Sequence, residues 1–384
     1  MQEALPTTAA VAAARAEPAS RPSAGEWLDS HTGPIMVLPA VLILLGFAIF
    51  PLIISIYLAL SRFSLFQGSF RLQWVGLYNF RRLLIGTQQY HLLGTFGTLR
   101  WPEWAIFAAI VALLLVWLAR HLRAPFHPFG FLGRCISAAL AAGLALLVLA
   151  TIVPGGYQGT LLNTCLYVLF GVIAQFLLGL GLALLCAQPI RGRTWFRVLF
   201  FIPLMVTPVG VAYMFRMLAD MDKGPFAPLR RAIGLADWSW ATHAWSARLM
   251  VLVGDTWQWT PFMFIVLLAA IENQPRDQLE AARLDGASSP QIFRDITWPA
   301  IAPVAATVVL IRLIEAFKIV DLPNVLTAGG PGLATESLTL HSFIAWRTQD
   351  LGGSAAVGYI LLFISTVTCV SFFNYVVRWT RRFQ

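Results

Sequence analysis

The sequence predicts an all-α integral membrane protein of about eight transmembrane helices. Three observations lead there. Apolar residues make up 58% of the 384 and charged residues only 12%, about half of the ~25% found in soluble domains. The mean hydropathy is +0.72. The apolar residues also fall in blocks of the length, about 20 residues, that crosses a bilayer as a helix. Backbone polar groups in lipid must be satisfied within the segment, so such blocks fold as helices. This composition excludes an ordinary soluble enzyme, a disordered chain and a nucleic-acid module. The net charge of +9 belongs to loops that flank the spans, and all but Lys223 and Lys318 of the 27 basic residues are arginines.

Residues 1–33 are rich in Ala, Pro, Ser and Thr. They begin with Gln2 and Glu3 rather than a basic run and hold no apolar core of secretory-signal length, so a disordered cytoplasmic tail is expected. Eight apolar segments follow, at 35–60, 103–119, 135–153, 161–186, 198–218, 249–271, 300–320 and 355–377. Prolines at 39, 51, 203, 208, 261 and 303 predict kinks and irregular ends. With both termini inside, the inner segments carry the larger share of arginine, Arg378, Arg381 and Arg382 among them. Cys135, Cys165, Cys186 and Cys369 lie in or beside apolar segments without metal-ligand spacing and read as packing residues. The six histidines form no ligand pair at helical spacing, so no metal is expected.

No energy source is visible in the chain. A phosphate-binding loop needs a lysine preceded by glycine. The two lysines sit in Asp222-Lys223-Gly224 and Phe317-Lys318-Ile319. No HExxH, GxSxG or paired-cysteine motif occurs, so a non-catalytic protein that binds no cofactor is expected. Ion-coupled carriers show carboxylates within spans. Here Glu315 and Asp321 keep a proton-coupled secondary transporter open as an alternative, beside a membrane scaffold without transport.

The segment 275–299 carries the most information. Asn273 and Pro275 mark a helix start, Gly286 its stop, and Ser289-Pro290 a cap and first-turn pair for a second short helix. Ile292, Phe293 and Ile296 give that helix an apolar face, while Ala281 and Ala282 keep the first helix slim. Pro299 sets the start of the seventh span. On periodicity alone the pair is either a docking element or a connector packed on its own helix ends.

The residues Glu280-Ala281-Ala282, then Asp285-Gly286-Ala287, then Ile296-Thr297-Trp298-Pro299 resemble the EAA loop of permease subunits of binding-protein-dependent ABC importers. Trp298 stands where that family usually has leucine. Asp321 to Gly332, with Leu326-Thr327-Ala328-Gly329-Gly330-Pro331, resembles the LT-x-GGP segment of the maltose-permease-type subunit of carbohydrate importers, and its glycines predict a tight external turn. Trp74 to Phe80 resembles the family's lead-in to an outer helix.

The resemblance implies an ABC importer type I permease fold, with 34–94 as first span and outer helix and 158–384 as the core. Residues 95–157 do not fit the family pattern and form an inserted two-span hairpin, which preserves the side on which the EAA loop emerges. It further implies a translocation path for a sugar or a related polyol or sugar phosphate across the inner membrane. The partners implied are a second homologous permease, an ATPase dimer that carries ATP and Mg, and an extracytoplasmic solute-binding protein. The EAA loop would insert into the ATPase.

The solute region implied is the sixth and seventh spans. Gln258, Trp259 and Phe262 lie on one, and Arg312, Glu315, Lys318 and Asp321 follow at steps of three on the other. Opposite charges at that spacing can pair. An arginine at mid-bilayer costs about 2.5–3.5 kcal/mol on insertion scales, so Arg312 should face protein or water, and Arg312 and Gln258 could line one chamber. Trp257 and Trp259, two residues apart, point to different faces.

Overall fold

The computed structural model describes residues 24–66, 69–122, 128–153, 155–189, 191–220, 223–225, 227–232, 234 and 239–380. The chain divides into two units, one ending at Tyr57 and the other beginning at Leu58. The first holds α1 (Ala24–Leu44), a π turn (Leu45–Ile49) and most of α2 (Phe50–Ala59), an apolar stretch long enough to cross a membrane. Of the tail expected over 1–33, residues 1–23 lie outside the described residues, and the remainder opens α1 instead of being irregular.

The second unit opens with an element that the all-α expectation missed. Strands β1 (Ser61–Phe66) and β2 (Ser69–Trp74) pair antiparallel, with Phe63 opposite Leu72 and Arg62 opposite Gln73. The period-2 alternation of polar and apolar residues is what such a ribbon requires. The outer helix expected next is two short helices, α3 (Tyr78–Leu84) and α4 (Gln89–Leu92). Asn79 Nδ2 donates to the carbonyls of Ala59 and Ser61 at 2.8 and 2.9 Å, which fixes α3 beside the ribbon. An Arg82–Asp350 ion pair ties α3 to the last span.

Two long helices follow, α5 (Trp101–Leu122) and α6 (Pro128–Thr151). They pack on each other, and α6 also packs on the last span, where Ser137 and Ser371 hydroxyls lie 2.7 Å apart. The two ends of this hairpin meet. Thr95 N donates to Tyr157 O at 2.9 Å, and Tyr157 N to Thr95 Oγ1 at 2.7 Å.

The core is α7 (Thr160–Cys186) against α11 (Ala244–Glu272), flanked by α14 (Trp298–Ala316) and α17 (Leu351–Thr380). A Cβ at Gly179 of α7 would stand 2.5 Å from Met263 Cβ, so this close crossing needs glycine. Between α7 and α11 the expected span 198–218 is broken. It consists of α8 (Arg193–Met205) and α9 (Pro208–Leu218), bent by 99°. Val206 is extended, Thr207 caps α9 by accepting from Gly210 N, and Pro208 occupies the first turn, so the helix cannot continue through. The described residues thus hold seven helices able to cross a membrane, and eight if the bent pair is one span. A short α10 (Ala227–Ala232) precedes α11.

After α14 come α15 (Asp321–Thr327) and α16 (Leu338–Arg347). The turn between them is not simply external. Residues 334–338 are buried against the ends of α7 and α11. Tyr167 OH donates to Thr335 O, Arg248 Nε to Ala334 O, and Asn163 Nδ2 to the carbonyls of Leu333 and Glu336. Arg216 of α9 donates to Val325 O of α15 at 3.0 Å.

Candidate coupling loop and translocation path

The segment 275–299 folds as α12 (Arg276–Leu284), α13 (Ser289–Ile292) and a π turn (Phe293–Thr297) that runs into α14. Gly286 ends α12 at φ +79°. Its N–H donates to Arg283 O, and Ala287 N–H donates to Ala282 O. This is the paired bonding of a Schellman cap, with glycine in the left-handed position. A Cβ there would meet nothing within 4 Å, so glycine is required by backbone angle and not by space. The second helix is capped by Ser288, one residue before the expected Ser289. Gln291 Oε1 accepts from Ser288 N at 2.8 Å and from Ser288 Oγ at 2.7 Å. Proline at the second helical position then fits without a lost bond.

Glu280, Ala281, Asp285 and Gly286 are exposed, and Ala282 and Ala287 half-buried. The Glu280 carboxylate meets no ion-pair partner among the described residues. Leu284, absent from the sequence expectation, is 88% exposed at the corner. Ile292, Phe293, Ile296 and Pro299 are half-buried, so the apolar face of the second helix partly turns inward. Phe293 lies 6.2 Å from Trp298, which makes an edge-on contact with Phe176 of α7. Trp298 therefore fills a place at the loop's root that its larger ring suits.

A further pair closes that root. Buried Gln274 donates through Nε2 to Thr297 O at 3.2 Å and accepts from Thr297 Oγ1 at 3.3 Å. An Arg197–Glu272 ion pair joins the start of α8 to the end of α11 beside it. Sequence reasoning missed Gln274. Its only signal was a polar residue between Asn273 and Pro275, indistinguishable from a solvated loop.

In the spans, Arg312 of α14 is 1% exposed. Its Nε donates to Gln175 Oε1 of α7 at 2.7 Å, and a second guanidinium nitrogen donates to Asp255 Oδ2 of α11 at 2.5 Å. Gln175 Nε2 completes the triangle by donating to Asp255 Oδ2 at 2.8 Å. The guanidinium also lies 4.6 Å from the Trp259 ring centroid. Arg312 thus pairs across helices, whereas Lys318, just past the end of α14, pairs with Glu315 three residues back at 2.7 Å, the lysine exposed and the glutamate half-buried. Gln258 is buried and reaches Val206 O at the break between α8 and α9. Arg312 and Gln258 have separate partners and share no bond. Trp259 and Phe262 are half-buried and in edge-on contact. Trp257 faces elsewhere, into an apolar groove of about 890 Å³ between α7, α8 and α11 that Phe170, Leu178, Pro203 and Thr260 also line.

Packing also unites residues that chain spacing kept apart. The His91 and His341 rings stack at 3.8 Å, and His91 Nε2 lies 3.0 Å from Glu336 Oε1. Burial, with His91 and Arg82 nearby, pushes the His341 imidazole down to about 3 and keeps it neutral.

The fold defines the class: a multi-pass helical membrane protein that carries one exposed helix pair between two spans. Residues 176–382, more than half of the chain, match the family described as binding-protein-dependent transport system inner membrane component, and the chain belongs to that family. It is 34% identical over 193 residues to the trehalose/maltose transport system permease protein MalF of Thermococcus litoralis. That match covers 50% of this chain and 65% of the relative's own length. It is 29% identical over 251 residues to the sn-glycerol-3-phosphate transport system permease protein UgpA of Escherichia coli O157:H7, covering 65% of this chain and 82% of the relative. A crystal structure of a bacterial ABC transporter involved in alginate import shares the fold, with a TM-score of 0.53 at 17% identity over 72% of this chain and 96% of that one.

Proposed function

We propose that the chain is the transmembrane permease subunit of an ATP-driven importer in the bacterial inner membrane, without catalysis of its own. The observation that carries this reading is the exposed α12–α13 pair, rooted by Gln274 and Thr297 on the ends of two spans. Such an element offers a small, stiff surface on which an ATPase can push. Its exposed Glu280, small Ala281 and apolar Leu284 supply a charge, a close approach and a greasy tip. The partners on this reading are a second permease, an ATPase dimer with ATP and Mg, and an external solute-binding protein.

The solute is a sugar, or a related polyol or sugar phosphate. The trehalose/maltose and glycerol-phosphate relatives support that class. The path runs along the faces of α11 and α14 where Gln258, Trp259, Phe262 and Glu315 lie, with Arg312 held beneath them. Aromatic faces and amide donors suit a sugar ring and its hydroxyls. A proton-coupled carrier using Glu315 or Asp321 is the competing reading, and the Glu315–Lys318 ion pair argues against a carboxylate free to shuttle protons.

The test is uptake and ATPase activity of the purified complex in proteoliposomes. Glu280→Lys and Gly286→Pro are expected to abolish ATP-dependent uptake and its stimulation by binding protein, with normal membrane insertion. Full uptake and full stimulated ATPase in both variants would refute the coupling role, and uptake by the chain alone without ATP would support the carrier.

A further inference from the structure

We propose that His91, Glu336 and His341 form a binding site for a divalent transition-metal cation of the Zn²⁺ type. The three come from α4, the turn before α16, and α16 itself, yet their ligand atoms all lie within 4.8 Å of one another. Two imidazoles and a carboxylate are a donor set that zinc takes with water in the fourth position. The 3.0 Å between His91 Nε2 and Glu336 Oε1 is close to the ~3.3 Å between neighbouring ligand atoms around a tetrahedral zinc. The widest pair has to close by at most about 1.5 Å to reach that spacing. The two imidazoles, now stacked at 3.8 Å, have to turn out of parallel to aim a nitrogen each at one ion.

Charge argues for the same occupant. Glu336 is 2% exposed and His341 4%. A carboxylate so enclosed needs a positive partner. His91 Nε2, 3.0 Å away, supplies one only when that imidazole is protonated, and the Arg82 guanidinium pairs with Asp350. A divalent cation satisfies the carboxylate and uses both imidazoles in their neutral form. The outer contacts already hold the ligands in place. Thr160 Oγ1 lies 3.4 Å from His341 Nδ1, and Asn163 Nδ2 donates to Glu336 O at 3.1 Å. Metal-bound histidines are oriented by such partners on the other ring nitrogen. The ion joins His91, just before the neck of the inserted hairpin, to Glu336 and His341 at the start of α16, and Thr160, just after the hairpin, reaches it only through His341.

The test uses the full-length chain in detergent, stripped with chelator and titrated with Zn²⁺, or with Co²⁺ for its visible spectrum. About one equivalent is expected per chain, with the strong absorption of tetrahedral Co²⁺. His91→Ala and Glu336→Gln are expected to abolish it, and His243→Ala, at an exposed histidine outside the cluster, to leave it intact. Thr160→Val keeps all three ligands and is expected to weaken affinity about 10–100-fold. Where a variant unfolds without metal, Thr160→Val and the partly exposed His91→Ala carry the test. Equal binding in the wild type, His91→Ala and Glu336→Gln would overturn the proposal, as would binding lost only in His243→Ala.

Discussion

At Arg312 the cost of a charge in lipid is met by side chains from two other helices. Asp255 neutralises the guanidinium, and Gln175 bonds both members of the pair. Removing one partner of such a pair costs about 3–5 kcal/mol, because the other charge is left buried and alone. Arg312→Ala is therefore expected to lower the thermal stability of the solubilised protein sharply and to reduce assembly. Arg312→Met combined with Asp255→Leu leaves only a neutral amide unsatisfied, at about 1–3 kcal/mol. The double variant should melt above the single one in a detergent thermal-shift series. A double variant that melts lower would show that the ion pair is not what Arg312 contributes. The Lys318–Glu315 pair was legible in the sequence because the two residues stand three apart in the chain, at the end of α14. Asp255 was not, since 57 residues and a loop separate it from Arg312. The His91–Glu336–His341 cluster was hidden for the same reason.

Among the elements, the helix pair of segment 275–299 was the most legible. Its caps are local chemistry, and local chemistry is written in adjacent residues: Gly286 for the left-handed stop, Ser288 and Gln291 for the second start. The broken span was half legible. Pro203 and Pro208 announced a bend, but the apolar run across them hid its 99° size. The β-ribbon was overlooked because composition favoured helix, though Arg62, Phe63, Ser64 and their partners alternate as strands do. The Gln274–Thr297 bonds yield a prediction at this scale. Gln274→Ala removes two hydrogen bonds, each contributing about 1 kcal/mol. On the proposed function, the partner ATPase should still bind, while uptake per ATP hydrolysed falls. Unchanged stoichiometry of transport to hydrolysis would mean that the root of the loop needs no closing.

For the molecule as a whole, the 99° bend between α8 and α9 makes the pair either one broken span or a re-entrant loop. Gln188, Leu284 and Ala328 are all exposed and report on it. If the bent pair is one span, Gln188 and Leu284 lie on the same side, two crossings apart, and Ala328 lies opposite. Single cysteines at these positions in a cysteine-free background should label accordingly with an impermeant reagent, Ala328→Cys from outside and the other two only from inside. Gln188→Cys labelling from outside, with Leu284→Cys protected, would make α8 and α9 a re-entrant loop and move the N-terminus across the membrane. The arginine bias did not decide this, because basic residues stand on both sides.

Closing the loop at its root also makes a lever of the span that follows. Gln274 and Thr297 bond the base of α12 to the start of α14, so on the proposed coupling reading a push on the exposed corner would be passed on to that span. The 19 residues of α14 rise about 28 Å. A rocking of that base by about 5° therefore swings the far end of that arm by about 2 Å. Arg312 sits near that far end, gripping α7 and α11 through bonds of 2.7 and 2.5 Å. On the proposed coupling reading, a sweep of that size would be enough to release one such grip, and a modest rotation delivered at the corner would reach the spans as a change of partners at Arg312.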